Sequence, residues 1–384
     1  MALTKVSTGV VDMSTSTGGL VIAKGTTAQQ LICNPPTTSN LGSIRENTDS
    51  DKNKVEVCTA NGSTPGWQFL EEVGPTTIVP LTVDYLVVAG GGGGTGAYGN
   101  GNGTGAGGAG GLITTSTYGG TENVFSAATG TPYDIVVGAF GAGGIPSGYG
   151  SPNNNNRGLN GGNSKFNTAE SIGGGGGGAV NTSYPSGASG GSGGGGTPYS
   201  NSGGLRTINQ GNSGGAGSST PGPQVYRGGG GGGASQAGAS GDASGNGGNG
   251  ATNAITVSSG TGPYYAGGGG GGVYSTGVSA GTGGSGVGGN GAANSGNGSS
   301  GVANTGSGGG GAGINASGSY SGGNGGSGIV ILRYPSSYTI DTTQIGSDLS
   351  STNDNSVSGY TITTIICANS ATTGSGTITF ALTP

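Results

Sequence analysis

Apolar residues along this chain fall in short runs that are bounded by turn-forming residues. Such runs occur at residues 20–23, 54–58, 83–89 and 328–334, and they are rich in valine, isoleucine and leucine. Runs of this length and composition are typical of β-strands. No window of a dozen residues repeats apolar positions at helical spacing, and glycine and proline recur too often for long helices. The pattern therefore predicts an all-β chain with almost no α-helix.

The apolar runs at 83–89 and 328–334 bracket the middle of the chain. The first run continues directly into the glycines of residues 90–94. We predict that these two strands pair side by side and so close the middle of the chain at its base. Two further strands, at 111–115 and 134–138, are predicted to join the same sheet.

The same pattern divides the chain into three predicted domains. Residues 1–84 have ordinary charge density and read as a small β-rich domain for attachment or oligomerisation. Residues 85–334 form a glycine-rich domain. Residues 335–384 are predicted to form a small C-terminal β unit from the apolar runs at 360–367 and 377–382.

Glycine sets the middle of the chain apart from its ends. Of the 101 glycines, eight precede Tyr85 and four follow Arg333. Only 29% of the 384 residues are hydrophobic, which is too few for one conventional core. Continuous glycine runs recur at residues 90–94, 173–178, 193–196, 228–233, 267–272 and 308–311. Their uneven spacing disfavours a solenoid of fixed period.

Two familiar glycine-rich structures fit this sequence poorly. A collagen triple helix needs glycine strictly at every third position with abundant proline, whereas residues 173–178 are unbroken glycine and the chain has only 15 prolines. A flexible linker would not need flanking strands, or the tyrosine, valine and isoleucine residues between the glycine runs. Disorder and other β-structure nevertheless stay open as alternatives.

A bundle of polyglycine-II helices fits the sequence better. Each such helix has three residues per turn and a rise of about 3.1 Å, and neighbouring helices can form lateral hydrogen bonds. Because only glycine lets backbones approach from every side, interior helices should be continuous glycine and surface helices should keep glycine at every third place. The second pattern occurs at Gly187, Gly190, Gly193 and Gly196, at Gly283, Gly286 and Gly289, and at Gly322, Gly325 and Gly328. We therefore predict an all-β fold with a polyglycine-II helix bundle.

The charged residues argue against several kinds of partner. Ten Lys and Arg against fifteen Asp and Glu give a net charge of −5, and no basic stretch could neutralise a run of phosphates. No apolar run approaches the roughly 20 residues of a membrane span, and the first residues do not resemble a signal peptide. We expect a protein made in a cytosol, with no nucleic-acid partner and no membrane insertion.

The residues that usually carry catalysis are scarce. The chain has no histidine, and only eight charged side chains lie between Tyr85 and Gly328, too few for most paired carboxylates. The glycines after Leu86 imitate a dinucleotide-binding turn, but no helix follows them. Asp49 and Asp51 imitate the start of a calcium loop whose final carboxylate is missing. We expect no enzymatic activity, no cofactor and no metal.

The three cysteines do not form a disulfide framework. Cys33, Cys58 and Cys367 leave at least one thiol unpaired, and their spacing does not suit a zinc site. We interpret them as buried small hydrophobic residues. A disulfide between Cys33 and Cys58 is the alternative.

Tyrosine is the residue type best suited to binding in this chain. Eleven of the fifteen tyrosines lie between Tyr98 and Tyr320, many of them in the segments that join glycine runs. A tyrosine offers a flat apolar face and a hydroxyl at low entropic cost, which suits contact with glycans or protein loops. The candidate receptor contacts are Tyr149, Tyr184, Tyr199, Tyr264, Tyr265 and Tyr274. The alternative interpretation is that these rings only cover the ends of the bundle.

Two segments resemble known virion proteins. Residues 42–58 read Gly-Ser-Ile-Arg-Glu-Asn-Thr-Asp-Ser-Asp-Lys-Asn-Lys-Val-Glu-Val-Cys and are followed by Trp67. This segment resembles a hairpin of phage tail-fibre and neck-fibre proteins, with Glu46 and Cys58 in place of the usual aromatic residues. Residues 84–92 together with 328–335 are similar to the glycine-rich domains of phage fibres, which are common among marine cyanophages.

The resemblance implies a place on the virion surface and frequent trimerisation. It implies further that the N-terminal domain contacts other virion proteins, and that loops between glycine helices contact a host glycan or outer-membrane protein. The predicted function is therefore that of a structural virion protein, either a tail fibre or a receptor-binding adhesin. A head-decoration or neck fibre without a receptor of its own is one alternative. An ice-binding protein or a passive spacer is another, although no flat threonine-rich face is evident.

Overall fold

The computed structural model divides the chain into two compact units, Met1–Ile78 and Val79–Pro384. In the first unit the structure describes the backbone of four strands. In the second it describes residues 81–99, 104–115, 125–146, 156–179, 184–199, 201–219, 226–258, 260–274, 277–314 and 318–383.

The four strands of the first unit form one sheet. They are β1 (Ala23–Gly25), β2 (Ile44–Asn47), β3 (Lys54–Thr59) and β4 (Gly66–Phe69), and their order in the sheet is the order in the chain. β1 runs parallel to β2, whereas β2, β3 and β4 are antiparallel neighbours. The segment that resembles a virion hairpin thus contains a hairpin of β2 and β3. Cys33 lies outside the described residues, so the alternative of a disulfide with Cys58 stays a prediction.

Seventeen strands lie in the described part of the second unit. In chain order they are β5 (Thr82–Val88), β6 (Ala97–Tyr98), β7 (Leu112–Thr114), β8 (Phe125–Ser126), β9 (Tyr133–Val137), β10 (Ser164–Phe166), β11 (Ala169–Ser171), β12 (Tyr226–Arg227), β13 (Ala251–Thr252), β14 (Tyr264–Tyr265), β15 (Val273–Tyr274), β16 (Ser319–Tyr320), β17 (Ile329–Pro335), β18 (Tyr338–Asp341), β19 (Leu349–Asp354), β20 (Tyr360–Cys367) and β21 (Gly374–Leu382). A single 3₁₀ turn at Gly284–Gly286 is the only helical element of the described residues. The prediction of an all-β, nearly helix-free fold is confirmed.

The two strands that bracket the glycine-rich middle pair with each other, as predicted. β5 and β17 are antiparallel, with Val88 opposite Ile329. They are the centre of a six-stranded sheet in the order β19-β20-β17-β5-β7, to which β8 adds beside β5. β7 therefore joins this sheet, as the run at 111–115 predicted.

The run at 134–138 was predicted for the same sheet, and that prediction is wrong. Its strand, β9, belongs to a second sheet in the order β11-β10-β9-β21-β18. The two sheets face each other, and the alternating side chains Tyr133, Ile135 and Val137 are buried in the core between them. A strand with one apolar face carries no signal that says which of two sheets it will join.

The strands after residue 335 join both sheets and do not form a separate one. β20 pairs with β17 over six residues, and β21 pairs with β9. Each of them thereby covers the edge of a strand that adjoins a glycine segment, since β17 follows residues 321–328 and β9 precedes residues 138–144. Unpaired edges of this kind promote association of chains, so their coverage stabilises the sheets.

The core between the sheets is aromatic and aliphatic. Tyr85 lies against Phe166 with ring centroids 5.6 Å apart, and Tyr334 lies against Phe380 at 5.4 Å. The Tyr334 hydroxyl shares a hydrogen bond of 2.8 Å with the Thr363 hydroxyl, which satisfies both buried groups.

The opposite face of the six-stranded sheet is buried as well. Leu86 and Ile331 lie there in a cluster that includes Ile255 and Tyr265 from the glycine-rich segment. Strands covered on both faces read as continuous apolar runs without alternation. This double burial explains the unbroken apolar sequence of β5 and β17.

The glycine segments continue the strands of both sheets. β5 leads into residues 89–96, β9 into 138–144 and β11 into 172–178, whereas residues 104–111 lead into β7, 156–162 into β10 and 321–328 into β17. The sandwich of two sheets is therefore the base from which the glycine bundle extends.

The run at residues 90–96 is bonded to neighbours on all sides. Its N–H groups donate, at every third residue, to the carbonyls of three segments, 156–162, 323–326 and 105–108, over 2.8 to 3.0 Å. Its carbonyls accept, again at every third residue, from three others, 141–144, 174–177 and 309–312. Six neighbours and a period of three define an interior polyglycine-II helix. The predicted bundle is present, and the linker alternative is wrong for these residues.

Close approach of backbones explains the continuous glycine of the interior. A Cβ on Gly92 would overlap the carbonyl of Gly175, and one on Gly94 would overlap the carbonyl of Gly310. At the surface, asparagine replaces a neighbouring backbone. The Oδ1 atoms of Asn160 and Asn163 accept hydrogen bonds of 2.9 Å from the N–H groups of residues 176 and 173. The side-chain oxygens of these asparagines thus accept from backbone N–H groups that point outward, where no further glycine helix offers a carbonyl.

Candidate functional site

The glycine bundle has a base end at the sheets and a distal end away from them. Residues 90–96 start at β5 in the base and end at β6, so β6 and its partner β16 lie at the distal end. Successive glycine segments reverse direction, as the antiparallel bonds of residues 92–95 to residues 105–108 show. Alternate joints between the segments therefore lie at the same end.

Four tyrosines lie together at the distal end, and we call them the distal tyrosine row. They are Tyr199, Tyr226, Tyr274 and Tyr320. Tyr226 in β12 is opposite Tyr274 in β15, with ring centroids 5.9 Å apart, and the Tyr199 ring is 5.7 Å from Tyr226. Tyr274 and Tyr320 both pack against a small apolar cluster that contains Ile314.

Tyr199 is the most exposed member of the row and has an unusual backbone. Its side chain is 50% exposed, and its φ of 70° lies in the left-handed region that side chains other than glycine seldom adopt. Its N–H donates to the carbonyl of Ser218 over 2.8 Å, which holds this conformation. Strained residues of this kind are concentrated at functional sites.

The phenols of the row interact with one another. Partial removal from water raises the pKa of Tyr226, and a hydrogen bond to the Tyr199 side chain and the proximity of Tyr274 raise it further. The Tyr226 hydroxyl therefore stays protonated at neutral pH. It can donate and accept hydrogen bonds beside an apolar ring face.

Arg227 fastens the turns around the row. Its Nη1 donates to the carbonyls of Gly241 at 2.9 Å and Ala243 at 3.3 Å, and its Nε donates to the carbonyl of Ser279 at 3.2 Å. Partial burial lowers the pKa of this guanidinium below its usual value. One side chain thus connects two distal turns that are separated in sequence.

We expect Arg227→Ala to loosen the distal end while the sheets stay folded. Three carbonyls lose a charged donor, and such losses cost about 1–3 kcal/mol. Hydrogen exchange followed by mass spectrometry should show faster exchange in residues 241–245 and 279–281. Arg206→Ala, at an exposed residue of the base end, is the control. Unchanged exchange at both turns in Arg227→Ala would contradict the assignment.

A second aromatic feature lies elsewhere on the distal end. The carbonyl of Tyr184 accepts a hydrogen bond from the N–H of Ala179. Ala179 is the residue that follows the glycine run after β11. The Tyr184 side chain is 46% exposed, and the guanidinium of Arg157 lies over its ring at 4.9 Å. This cation–π contact fixes one face of the ring and leaves part of it open.

The candidate tyrosines are divided between the two ends of the bundle. Tyr184, Tyr199 and Tyr274 lie at the distal end. Tyr264 and Tyr265 lie in β14 at the base end, where Tyr265 is buried against the six-stranded sheet. Tyr265 is therefore a core residue that covers the second apolar face of the six-stranded sheet. Tyr149 lies outside the described residues.

The sequence interpretation missed Tyr226 and Tyr320 as members of the row. A signal for Tyr226 was available, because a six-residue glycine run spans roughly 19 Å and separates the residues at its two ends. Tyr226 precedes one such run and Tyr274 follows another. If neighbouring runs are antiparallel, these two rings must lie at the same end, whereas Tyr265 must lie at the other.

Two kinds of site are not found in the described part of the chain. No group of three or more His, Cys, Asp and Glu side chains that could hold a metal ion occurs there. Among the same residues, no helix is long and apolar enough to span a membrane. The distal tyrosine row and the ring of Tyr184 expose aromatic surface at the distal end, which makes them candidates for contact with a partner.

A comparison with protein families gives a match to the glycine-rich part of the chain. The model of a glycine-rich domain matches residues 72–335. The matched segment ends with the last residue of β17, so it contains the glycine bundle and the two strands that close it. No curated protein matches the chain.

Proposed function

We propose that this chain, which belongs to the glycine-rich domain family, has a structural role in a virion, as a tail fibre or as a receptor-binding adhesin. In this proposal the sandwich and the bundle form a rigid support, and the distal end contacts the surface of a host cell. The observation that carries the proposal is the distal tyrosine row, in which exposed Tyr199 is held in a strained backbone conformation.

The chemistry of the row supports binding to a host glycan or to an outer-membrane protein. Tyrosine rings dominate binding surfaces because they bury a large apolar area with few rotatable bonds. In this chain Tyr199, Tyr226 and Tyr274 adjoin glycine helices whose backbones are hydrogen-bonded to neighbouring segments on every side. Such a support keeps the ordering cost of binding low. We propose binding without catalysis, and no cofactor.

The first unit supports the attachment part of the proposal. Its β2–β3 hairpin lies within the segment that resembles phage tail-fibre and neck-fibre proteins. We propose that residues 1–84 contact other virion proteins and that the assembled form is a homotrimer. The protein would be made in the host cytoplasm and would act at the virion surface.

Adsorption of particles to host cells tests the proposal. Purified protein should compete with particles for the cells and reduce adsorption in proportion to its concentration, and antibody labelling should place it on the tail. Labelling on the neck or head, without competition, would favour a decorating fibre that has no receptor. Thermal hysteresis in a solution of the protein would favour an ice-binding function.

A further inference from the structure

A polar groove runs along the flank of the bundle, apart from the distal tyrosine row. Its floor is the glycine segment at residues 246–249, and its two rims are residues 236–239 and 282–284. Ser244 closes it toward the distal end. The cavity has a volume of about 300 Å³, at the lower end of the range for sites that bind small molecules.

The lining of the groove is neutral and rich in hydrogen-bonding groups. The polar side chains are those of Gln236, Ser244, Asn246, Asn249 and Thr282, and the remaining lining residues are glycine and alanine. No charged side chain and no aromatic ring is among them.

The amides of the groove differ in their roles. Asn246 Oδ1 accepts a hydrogen bond of 2.9 Å from the N–H of Thr282, which ties the floor to one rim. The side-chain amides of Gln236 and Asn249 form no hydrogen bond with another described residue. Both amides can therefore donate hydrogen bonds to a ligand and accept them from it, and no hydrogen bond within the bundle has to break.

We propose that this groove binds a neutral oligosaccharide. Sugar hydroxyls both donate and accept hydrogen bonds, and amide and hydroxyl side chains complement them. An anionic or cationic ligand would find no opposite charge in the lining, and an apolar ligand would leave the amides unpaired. Without an aromatic ring for stacking, affinity is weak, and several copies on one particle would raise it through multivalency.

A further glycine helix is a poorer occupant of the groove. Lateral packing in the bundle brings backbones so close that a single Cβ would overlap a carbonyl, as at Gly247 against Gly268. The side chains of Gln236, Asn249 and Thr282 line the space that such a helix would need. These side chains keep another glycine backbone from packing in the groove, but they leave room for a ligand that forms hydrogen bonds with them.

Titration of the whole protein with soluble sugars tests the proposal. Neutral di- and trisaccharides of glucose, galactose and N-acetylglucosamine should include at least one that binds, as measured by saturation-transfer NMR and calorimetry. Sialylated or sulfated counterparts should bind more weakly. Gln236→Glu combined with Asn249→Asp keeps the shape of the groove but removes two donors and adds two charges. Binding should then fall about tenfold or more.

Asn209→Asp, at an exposed asparagine of the base end, is the matched control and should bind as the unaltered protein does. Absence of binding by every neutral sugar, stronger binding of anionic sugars, or equal binding by the double variant would overturn the proposal. The groove would serve the proposed attachment to a host surface, on which this inference rests. Because the titration contains no cells, its failure is separate from a failure of the adsorption experiment.

Discussion

Gly92→Ala is expected to lower the free energy of unfolding of the second unit by at least about 3 kcal/mol. Gly92 lies in the glycine helix that has six bonded neighbours, and its added methyl group would overlap the carbonyl carbon and oxygen of Gly175. Neither atom can move alone, because both belong to a helix that is bonded in its turn to residues 90–93 and 192–195. The helices must separate, and each lateral hydrogen bond that breaks leaves buried groups unpaired at about 1–3 kcal/mol.

The measurement is equilibrium unfolding in denaturant, with soluble yield recorded in case the variant fails to fold. Gly296→Ala is the control, since the nearest atom to its new methyl group is the Cβ of Ala292 at 3.3 Å. That change should stay within about 1 kcal/mol of the unaltered protein, which is the usual range for such a substitution at a tolerant site. If both variants unfold alike, the interior helices are not packed as closely as described.

Tyr199→Ala is expected to raise the concentration of purified protein that halves particle adsorption by roughly thirtyfold. This factor corresponds to about 2 kcal/mol, the loss found when an aromatic residue that dominates a binding surface is truncated to alanine. Tyr199 is the exposed end of the distal tyrosine row, and its removal also leaves the Tyr226 hydroxyl without its neighbour. Stability should change little, because the lost ring is half exposed.

Tyr264→Ala is the matched control for this experiment. Tyr264 is the same residue type with nearly the same exposure, 47% against 50%, but it lies at the base end of the bundle. The Tyr264→Ala protein should reduce particle adsorption at the same concentration as the unaltered protein does. Equal losses in the two variants, or no loss in Tyr199→Ala, would contradict a receptor contact at the distal end.

Much of the architecture follows from local features of the sequence. The apolar runs that became β5 and β17 predicted a closing pair, because they bracket the glycine-rich middle of the chain. The continuous glycine runs predicted interior polyglycine-II helices, because no other residue permits backbone contact on every side. The asparagines beside these runs gave no prediction, although Asn160 and Asn163 replace a missing neighbour helix at the surface.

Other features depend on partners that are distant in sequence. The assignment of β9 to the second sheet and the pairing of β20 with β17 are contacts over many residues, and neither strand differs in composition from those that pair locally. The positions of the candidate tyrosines also depend on partners that are distant in sequence. Tyr265 and Tyr274 stand in similar surroundings in the sequence, yet one is a core residue and the other belongs to the distal row.

The sequence by itself determined the kind of structure each segment can form. The spacing of apolar residues fixed the strands, and the phase of the glycines selected polyglycine II over collagen, because both are constraints of backbone geometry within a few residues. Only the tertiary structure decided which end of the bundle each tyrosine occupies and which rings meet. That choice depends on the order in which the glycine helices pack, and glycine helices with identical backbones carry almost no side-chain information to specify their neighbours.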